Sequence, residues 1–129
     1  MDFGGRWGRE LKMKSEELKS RTKRFALAVM KLVGNFPHNK VGDIIGRQLI
    51  RSATAVGANY RAACRAQSHA HFVSKISIVE EEADESLYWL ELALESNLVC
   101  AESVAGLIKE ADELAAIFTA SRKTARRNN

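Results

Sequence analysis

The chain has 129 residues, of which 46% are apolar and 28% charged, so it is one globular domain rather than a disordered or fibrous protein. A single proline argues against an all-β sandwich, and two cysteines are too few for a disulfide framework. The longest apolar run, Phe25–Met30, is far shorter than the roughly 18 residues of a membrane span. No secretory signal is visible, so we expect a cytoplasmic protein.

The formal net charge of +4 is unevenly distributed along the chain. Residues 1–66 carry 14 Lys/Arg and 5 Asp/Glu, whereas residues 67–121 carry 2 Lys/Arg and 11 Asp/Glu. The last eight residues, 122–129, add four basic side chains. Such asymmetry indicates that the partner is either a nucleic acid or another copy of the chain.

Apolar residues recur at three- and four-residue spacing in four segments, which predicts four helices and no strand. Gly34 and Pro37 end the first helix, Ser68 is the expected N-cap of the third, and Asn97 ends that helix. Short connections favour an all-α, antiparallel up-down-up-down four-helix bundle. The helices are expected at residues 14–33, 42–65, 68–96 and 101–124, between a flexible segment at 1–13 and a disordered basic tail at 125–129.

The second helix carries an arginine stripe, defined as Arg47, Arg51, Arg61 and Arg65. At 100° per residue these side chains share one outward face, opposite the apolar one, and span about 27 Å. No acidic residue lies between Arg47 and Arg65 on this stripe, and planar guanidinium groups suit phosphate oxygens. Three interpretations stay open: phosphate contact, pairing with the acidic third helix of a neighbouring subunit, and simple solvation.

The third helix has a second apolar set, formed by Ile78, Trp89 and Leu92, beside its core positions. A helix that buries only one line of core residues needs no second apolar set. Either this helix is the most buried of the four, or the three side chains form an oligomer contact, which is the interpretation we favour.

The acidic run Glu80–Glu85 is the one place that invites a metal site. Di-iron bundles use Glu-x-x-His pairs that point into the core, and no glutamate here is followed three residues later by a histidine. Nucleophile-elbow, P-loop and dinucleotide-binding motifs are also absent from the sequence. We therefore predict no metal site, no cofactor and no catalytic residue.

Several dispersed motifs resemble a known family. The pieces are Gln-Leu-x-Arg-Ser-Ala at 48–53, Val-x-x-Asn-Tyr at 56–60, Ser-x-x-x-Phe at 68–72 and Glu-Ala-Asp-Glu-Ser-x-x-Trp-Leu-Glu-Leu at 82–92. They resemble the four-helix-bundle family encoded by intervening sequences in bacterial 23S ribosomal RNA genes, over about residues 15–118. The resemblance extends to the accessory variability proteins of diversity-generating retroelements. It implies a homopentamer that binds nucleic acid and, in a retroelement, the partner reverse transcriptase.

Together these features predict a non-enzymatic, self-associating bundle that presents basic helix surface to RNA or DNA. One alternative is a protein-binding adaptor, whose arginine stripe pairs with acidic protein surface instead of phosphate. A third interpretation is an enzyme whose site forms only at the oligomer interface.

Overall fold

A computed structural model of the chain describes residues 5–128, with side chains described from residue 14 onward. Over these residues it contains four helices and no strand, which confirms the predicted all-α four-helix fold. Consecutive helices pack side by side, and the fourth returns to make a smaller contact with the first. The helices are α1 (Gly5–Val33), α2 (Lys40–Cys64), α3 (His69–Glu95) and α4 (Ala101–Arg127).

The first helix is longer than the sequence predicts. Helix α1 begins at Gly5, not at residue 14, so the predicted flexible segment is helical over residues 5–13. The glycines near the start of the chain suggest flexibility, but residues 9–13 are strong helix formers with no proline among them. Residues 1–4 of that predicted segment lie outside the described part of the chain.

The fourth helix also extends beyond its predicted end. Helix α4 continues to Arg127, so the predicted disordered tail at 125–129 is wrong for residues 125–127. Ala125 explains the extension, because it lies one heptad after the core residue Phe118 and is itself buried. This added apolar contact outweighs the fraying expected of a charged terminus.

The helix boundaries between these ends follow the sequence signals. The backbone N–H of His71 donates to the Ser68 hydroxyl at 3.1 Å, which confirms Ser68 as the N-cap of α3. Asn97, at φ 61°, takes the left-handed conformation just beyond the end of α3. Asn39, which the sequence does not single out, caps α2 by accepting from the Gly42 N–H at 2.8 Å.

The core lies along the bundle axis and draws on all four helices. Tyr60 and Phe118 meet across it, with ring centroids 5.3 Å apart. The largest fully buried side chains include Phe25, Val29, Leu49, Val56, Ile76, Val79, Leu90, Val104, Leu114 and Phe118. All of these are aliphatic or aromatic groups, and their burial excludes water from the interior.

Helix α2 approaches both of its neighbours closely. A Cβ atom added to Gly46 would lie 2.8 Å from Val33 Cγ1 of α1, and one added to Gly57 would lie 3.2 Å from Thr22 Oγ1. On the α3 side, the buried hydroxyls of Ser52 and Ser86 lie 3.0 Å apart. Small residues therefore bring α2 close to α1 and α3, and their positions fix which face of α2 points outward.

We predict that Gly46→Ala destabilises the protein by about 1–2 kcal/mol, because the added methyl overpacks against a stiff β-branched side chain. Gly106→Ala is the matched control, since a Cβ there meets nothing within 4 Å. It should stabilise the protein by about 0.5–1 kcal/mol, as alanine does for an exposed helical glycine. Urea unfolding of both variants measures the two free energies. Equal effects would show that Gly46 does not set the α1–α2 spacing.

Candidate nucleic-acid interface

The arginine stripe lies on the outer face of α2, where all four side chains are exposed. The opposite face of the helix is buried, with Leu49, Ala53 and Val56 fully inaccessible. The helix is thus anchored along one side and presents its guanidinium groups on the other. This arrangement is the one that the periodicity of the sequence predicts.

Arg51 differs from the other members of the stripe because it pairs with acidic side chains of α3 in the same chain. Its Nη1 lies 3.1 Å from Glu82 Oε2, and its Nη2 contacts Glu85 Oε2. Its Nε also donates to Gln48 Oε1 at 3.2 Å. Desolvation opposes the charge, but the hydrogen bonds and charges of Glu85 and Glu82 together raise the pKa of Arg51 overall. The arginine is therefore committed to the α2–α3 contact.

Arg47, Arg61 and Arg65 make no ion pair within the part of the chain that the structure describes. Asp43 lies one turn before Arg47 on α2 but forms no ion pair with it, and no acidic residue follows on this helix, so Arg61 and Arg65 have no acidic neighbour on α2. Arg61 and Arg65 lie about 6 Å apart along the helix axis, and Arg47 lies about 21 Å from Arg61. These three exposed guanidinium groups are available to an external anion.

The carboxyl end of α4 brings further basic side chains to the same end of the bundle as Arg61 and Arg65. The ring Nε2 of His69, at the start of α3, lies 2.8 Å from the Ala125 carbonyl oxygen. This contact holds the loop that follows Arg65 against the last turns of α4. The exposed cations there are Lys123, Arg126 and Arg127, named together the α4 basic cluster.

Sequence reasoning missed the α4 basic cluster because it assigned most of these residues to a disordered tail. The signal that could have found it is the apolar register of α4, in which Ala125 continues the series of Leu114 and Phe118. Arg122 stands apart from the cluster, since its Nε lies 2.9 Å from Glu80 Oε2. Burial opposes ionisation of Glu80, yet hydrogen bonds from Arg122 and Thr119 lower its pKa overall.

Of the three residues of the predicted oligomer contact, Trp89 and Leu92 lie close together on α3 and Ile78 lies apart from them. Ile78, Trp89 and Leu92 are all half-buried, and Trp89 and Leu92 pack against the edge of the core. The indole Nε1 of Trp89 donates to Glu85 Oε2 at 2.9 Å, which orients the ring. Ile78 lies about 16 Å along the helix from Trp89, so it does not belong to the same local surface.

Exposed apolar residues that the sequence does not single out lie beside Trp89 and Leu92. Tyr88 is 55% exposed and meets Trp89 edge to face, with centroids 5.2 Å apart. Arg51 of α2 contacts Glu85 of α3, and the two helices are antiparallel. Ile44 lies two turns before Arg51, and Leu92 lies two turns after Glu85. Ile44 and Leu92 are therefore at the same level along the bundle. The apolar patch so defined consists of Val41, Ile44, Tyr88, Trp89 and Leu92.

Neither metal ligation nor membrane insertion is suggested by the described residues. They contain no group of three or more His, Cys, Asp or Glu side chains placed to hold a metal ion. None of the helices, over the part that the structure describes, is long and apolar enough to cross a membrane.

The chain matches a known protein family and a solved structure. The family model for 23S rRNA-intervening sequence proteins matches residues 14–120. A crystal structure from Bacteroides thetaiotaomicron, described as a protein of unknown function from the S23 ribosomal protein family, matches with 29% identity and a TM-score of 0.78. The match covers 85% of this chain and 98% of that one. No curated protein matches significantly. Because the family model spans most of the bundle, this chain belongs to the 23S rRNA-intervening sequence protein family.

Proposed function

We propose that the protein is a non-enzymatic, self-associating bundle that binds RNA or DNA through phosphate contacts on α2. The observation that carries this proposal is the set of three exposed guanidinium groups, Arg47, Arg61 and Arg65, which no acidic side chain of the described chain neutralises. Arg51 belongs to the same face but is held by Glu82 and Glu85. We therefore assign it a structural role and the other three the phosphate contacts.

The chemistry of the three side chains supports phosphate as the ligand. A guanidinium group offers a planar pair of donors that can bind two phosphate oxygens at once, and it stays charged at every physiological pH. A rigid helix also fixes the spacing of the groups, so less conformational entropy is lost on binding. The family description refers to an intervening sequence of 23S rRNA, which makes RNA the first ligand to test.

An acidic protein surface is the second candidate partner, and Arg51 is the observation that favours it. Its pairing with Glu82 and Glu85 demonstrates that this face of α2 can bind carboxylates. An adaptor that binds an acidic protein would use the same three free arginines. The reverse transcriptase of a retroelement stays a prediction, since neither of the two matches refers to such a system. A cytoplasmic location is likewise part of the proposal.

Self-association is supported by the apolar patch and by the distribution of charge. Val41, Ile44 and Tyr88 are each at least half exposed, and they adjoin the half-buried Trp89 and Leu92. Contiguous apolar surface of this kind usually marks a protein contact. The basic α2 of one copy and the acidic α3 of another also carry complementary charges, which favour their association. A homopentamer is the assembly that we propose.

For the arginine stripe, we predict that Arg47→Ala, Arg61→Ala and Arg65→Ala each weaken RNA binding and flatten its salt dependence. Each lost phosphate contact should lower the slope of log K against log salt by about 0.7 on single strands, or about 0.9 on duplex DNA. Binding should weaken similarly across unrelated sequences, since phosphate contacts do not read bases. Fluorescence anisotropy over a salt series measures affinity and slope together.

Two exposed arginines serve as controls in that experiment. Arg51→Ala should leave the slope unchanged, because its guanidinium is already paired, and Arg24→Ala should do so because Arg24 lies on α1. A triple variant of Arg47, Arg61 and Arg65 with wild-type affinity and slope would contradict the proposal. Loss of oligomer mass in that variant, before any change in RNA affinity, would favour pairing of the stripe with protein.

For the apolar patch, we predict that Ile44→Glu and Tyr88→Glu dissociate the oligomer while helical circular dichroism is retained. Both side chains are more than half exposed, so a glutamate there stays solvated in the monomer but is buried and unpaired in the assembly. Leu27→Glu is the matched control, because Leu27 is 55% exposed on α1, outside the patch. Light scattering gives the masses. Folded Ile44 and Tyr88 variants of wild-type mass would rule out this interface.

A further inference from the structure

We infer that the α4 basic cluster is a second phosphate-binding surface, which extends the footprint of the arginine stripe onto the end of the bundle. Its ligand is the backbone of the same nucleic acid, so the inference rests on the proposed function. The residues are Lys123, Arg126 and Arg127, none of which belongs to the stripe.

The cluster is part of the folded bundle and not a loose basic tail. Ala125 is only 8% exposed, and its carbonyl oxygen lies 2.8 Å from the His69 ring. Three residues earlier, Arg122 pairs with Glu80 of α3 at 2.9 Å. These contacts hold the last two turns of α4 against α3. The exposed cations of the cluster consequently have fixed positions on a rigid helix, which is what a preorganised binding surface requires.

The positive charge of the cluster is only partly offset within the described chain. No acidic residue follows Glu113 in the sequence, and Glu80, which pairs with Arg122, interacts with Arg126 through its charge alone. None of the three cluster residues makes an ion pair within the described chain. Lys123 and Arg127 are four residues apart, as are Arg122 and Arg126, and like charges at this spacing destabilise a helix. The helix dipole offsets part of that repulsion, and a bound polyanion would remove the rest.

The shape of this surface favours a polymer over a small ligand. The depression lined by Arg122, Lys123, Arg126 and Arg127 is open and shallow, whereas pockets for small molecules bury most of their ligand. A long nucleic-acid strand does not need an enclosed pocket, because it contacts many cations at once. Affinity then comes from the counterions that are released at each neutralised phosphate.

The cluster and the stripe meet at one end of the bundle. Arg65 and His69 are four residues apart, so their Cα atoms are separated by at most about 14 Å. The His69 ring contacts the backbone of Ala125, which immediately precedes Arg126. One strand can therefore pass from Arg61 and Arg65 on α2, over the α2–α3 loop, to the last turn of α4.

The test compares two triple variants of equal charge. The cluster variant is Lys123→Gln, Arg126→Gln and Arg127→Gln. The control variant is Lys23→Gln, Lys31→Gln and Lys109→Gln, three exposed cations on α1 and α4 that lie outside the stripe and the cluster. The probe is a 30-nucleotide single-stranded RNA, titrated over a salt series. The cluster variant should lower the slope of log K against log salt by about 2, and Arg127→Gln alone by about 0.7, while the control changes it little.

The outcomes separate this inference from the proposed function. A wild-type slope in the cluster variant, together with a reduced slope in the arginine-stripe variants, would overturn the inference and leave the proposed function standing. Equal losses in the cluster and control variants would overturn it as well, since net charge alone would explain them. Selective loss of binding to phosphatidylserine vesicles, with RNA binding intact, would assign the cluster to a membrane. Failure of the wild type to bind RNA or DNA would overturn the proposed function itself.

Discussion

The close packing of α2 against both of its neighbours is the constraint on which the rest of the molecule depends. Gly46 leaves no room for a side chain between α2 and α1, Gly57 leaves little, and Ser52 meets Ser86 at the α3 contact. Larger residues at these positions would push the helices apart or rotate α2 about its axis. Because the helix cannot roll, its opposite face must point to solvent. The exposure of Arg47, Arg61 and Arg65 follows from this packing.

Part of the opposite charge of the basic and acidic segments forms ion pairs within the folded chain. Each of three arginines bridges to an acidic helix: Arg21 to Glu110 and Glu113, Arg51 to Glu82 and Glu85, and Arg122 to Glu80. These bridges lie at the α1–α4, α2–α3 and α3–α4 contacts. Exposed ion pairs stabilise a protein only weakly, so their main consequence is positional. The basic groups left without an ion pair in the described chain include Arg47, Arg61 and Arg65 and the α4 basic cluster, besides Lys23, Arg24 and Lys31 on α1.

The proposed nucleic-acid surface and the proposed self-association surface differ in chemistry. The arginine stripe and the α4 basic cluster are cationic and open, which suits a long polyanion. The apolar patch near Ile44 and Tyr88 lies towards the other end of the α2–α3 face and suits a protein contact. Arg51 and its glutamates separate the patch from Arg61 and Arg65, whereas Arg47 lies one turn from Ile44. A copy bound at the patch would therefore adjoin Arg47 and leave Arg61, Arg65 and the α4 basic cluster accessible to nucleic acid.

The sequence by itself determined the four helices, the cap at Ser68, the end of α3 at Asn97 and the outward face of α2. Each of these depends on local spacing or on backbone preference, which are written into neighbouring residues. Only the tertiary structure decided that Arg51 pairs with Glu82 and Glu85, because residues 31 and 34 positions apart meet only when α2 and α3 pack. The order of the α4 terminus was decided in the same way, since Ala125 gains its stability from α3 and the core. The ion pairs of Arg51 leave no periodic signal in the sequence, and Ala125 extends the apolar register of α4 by a single position among basic residues.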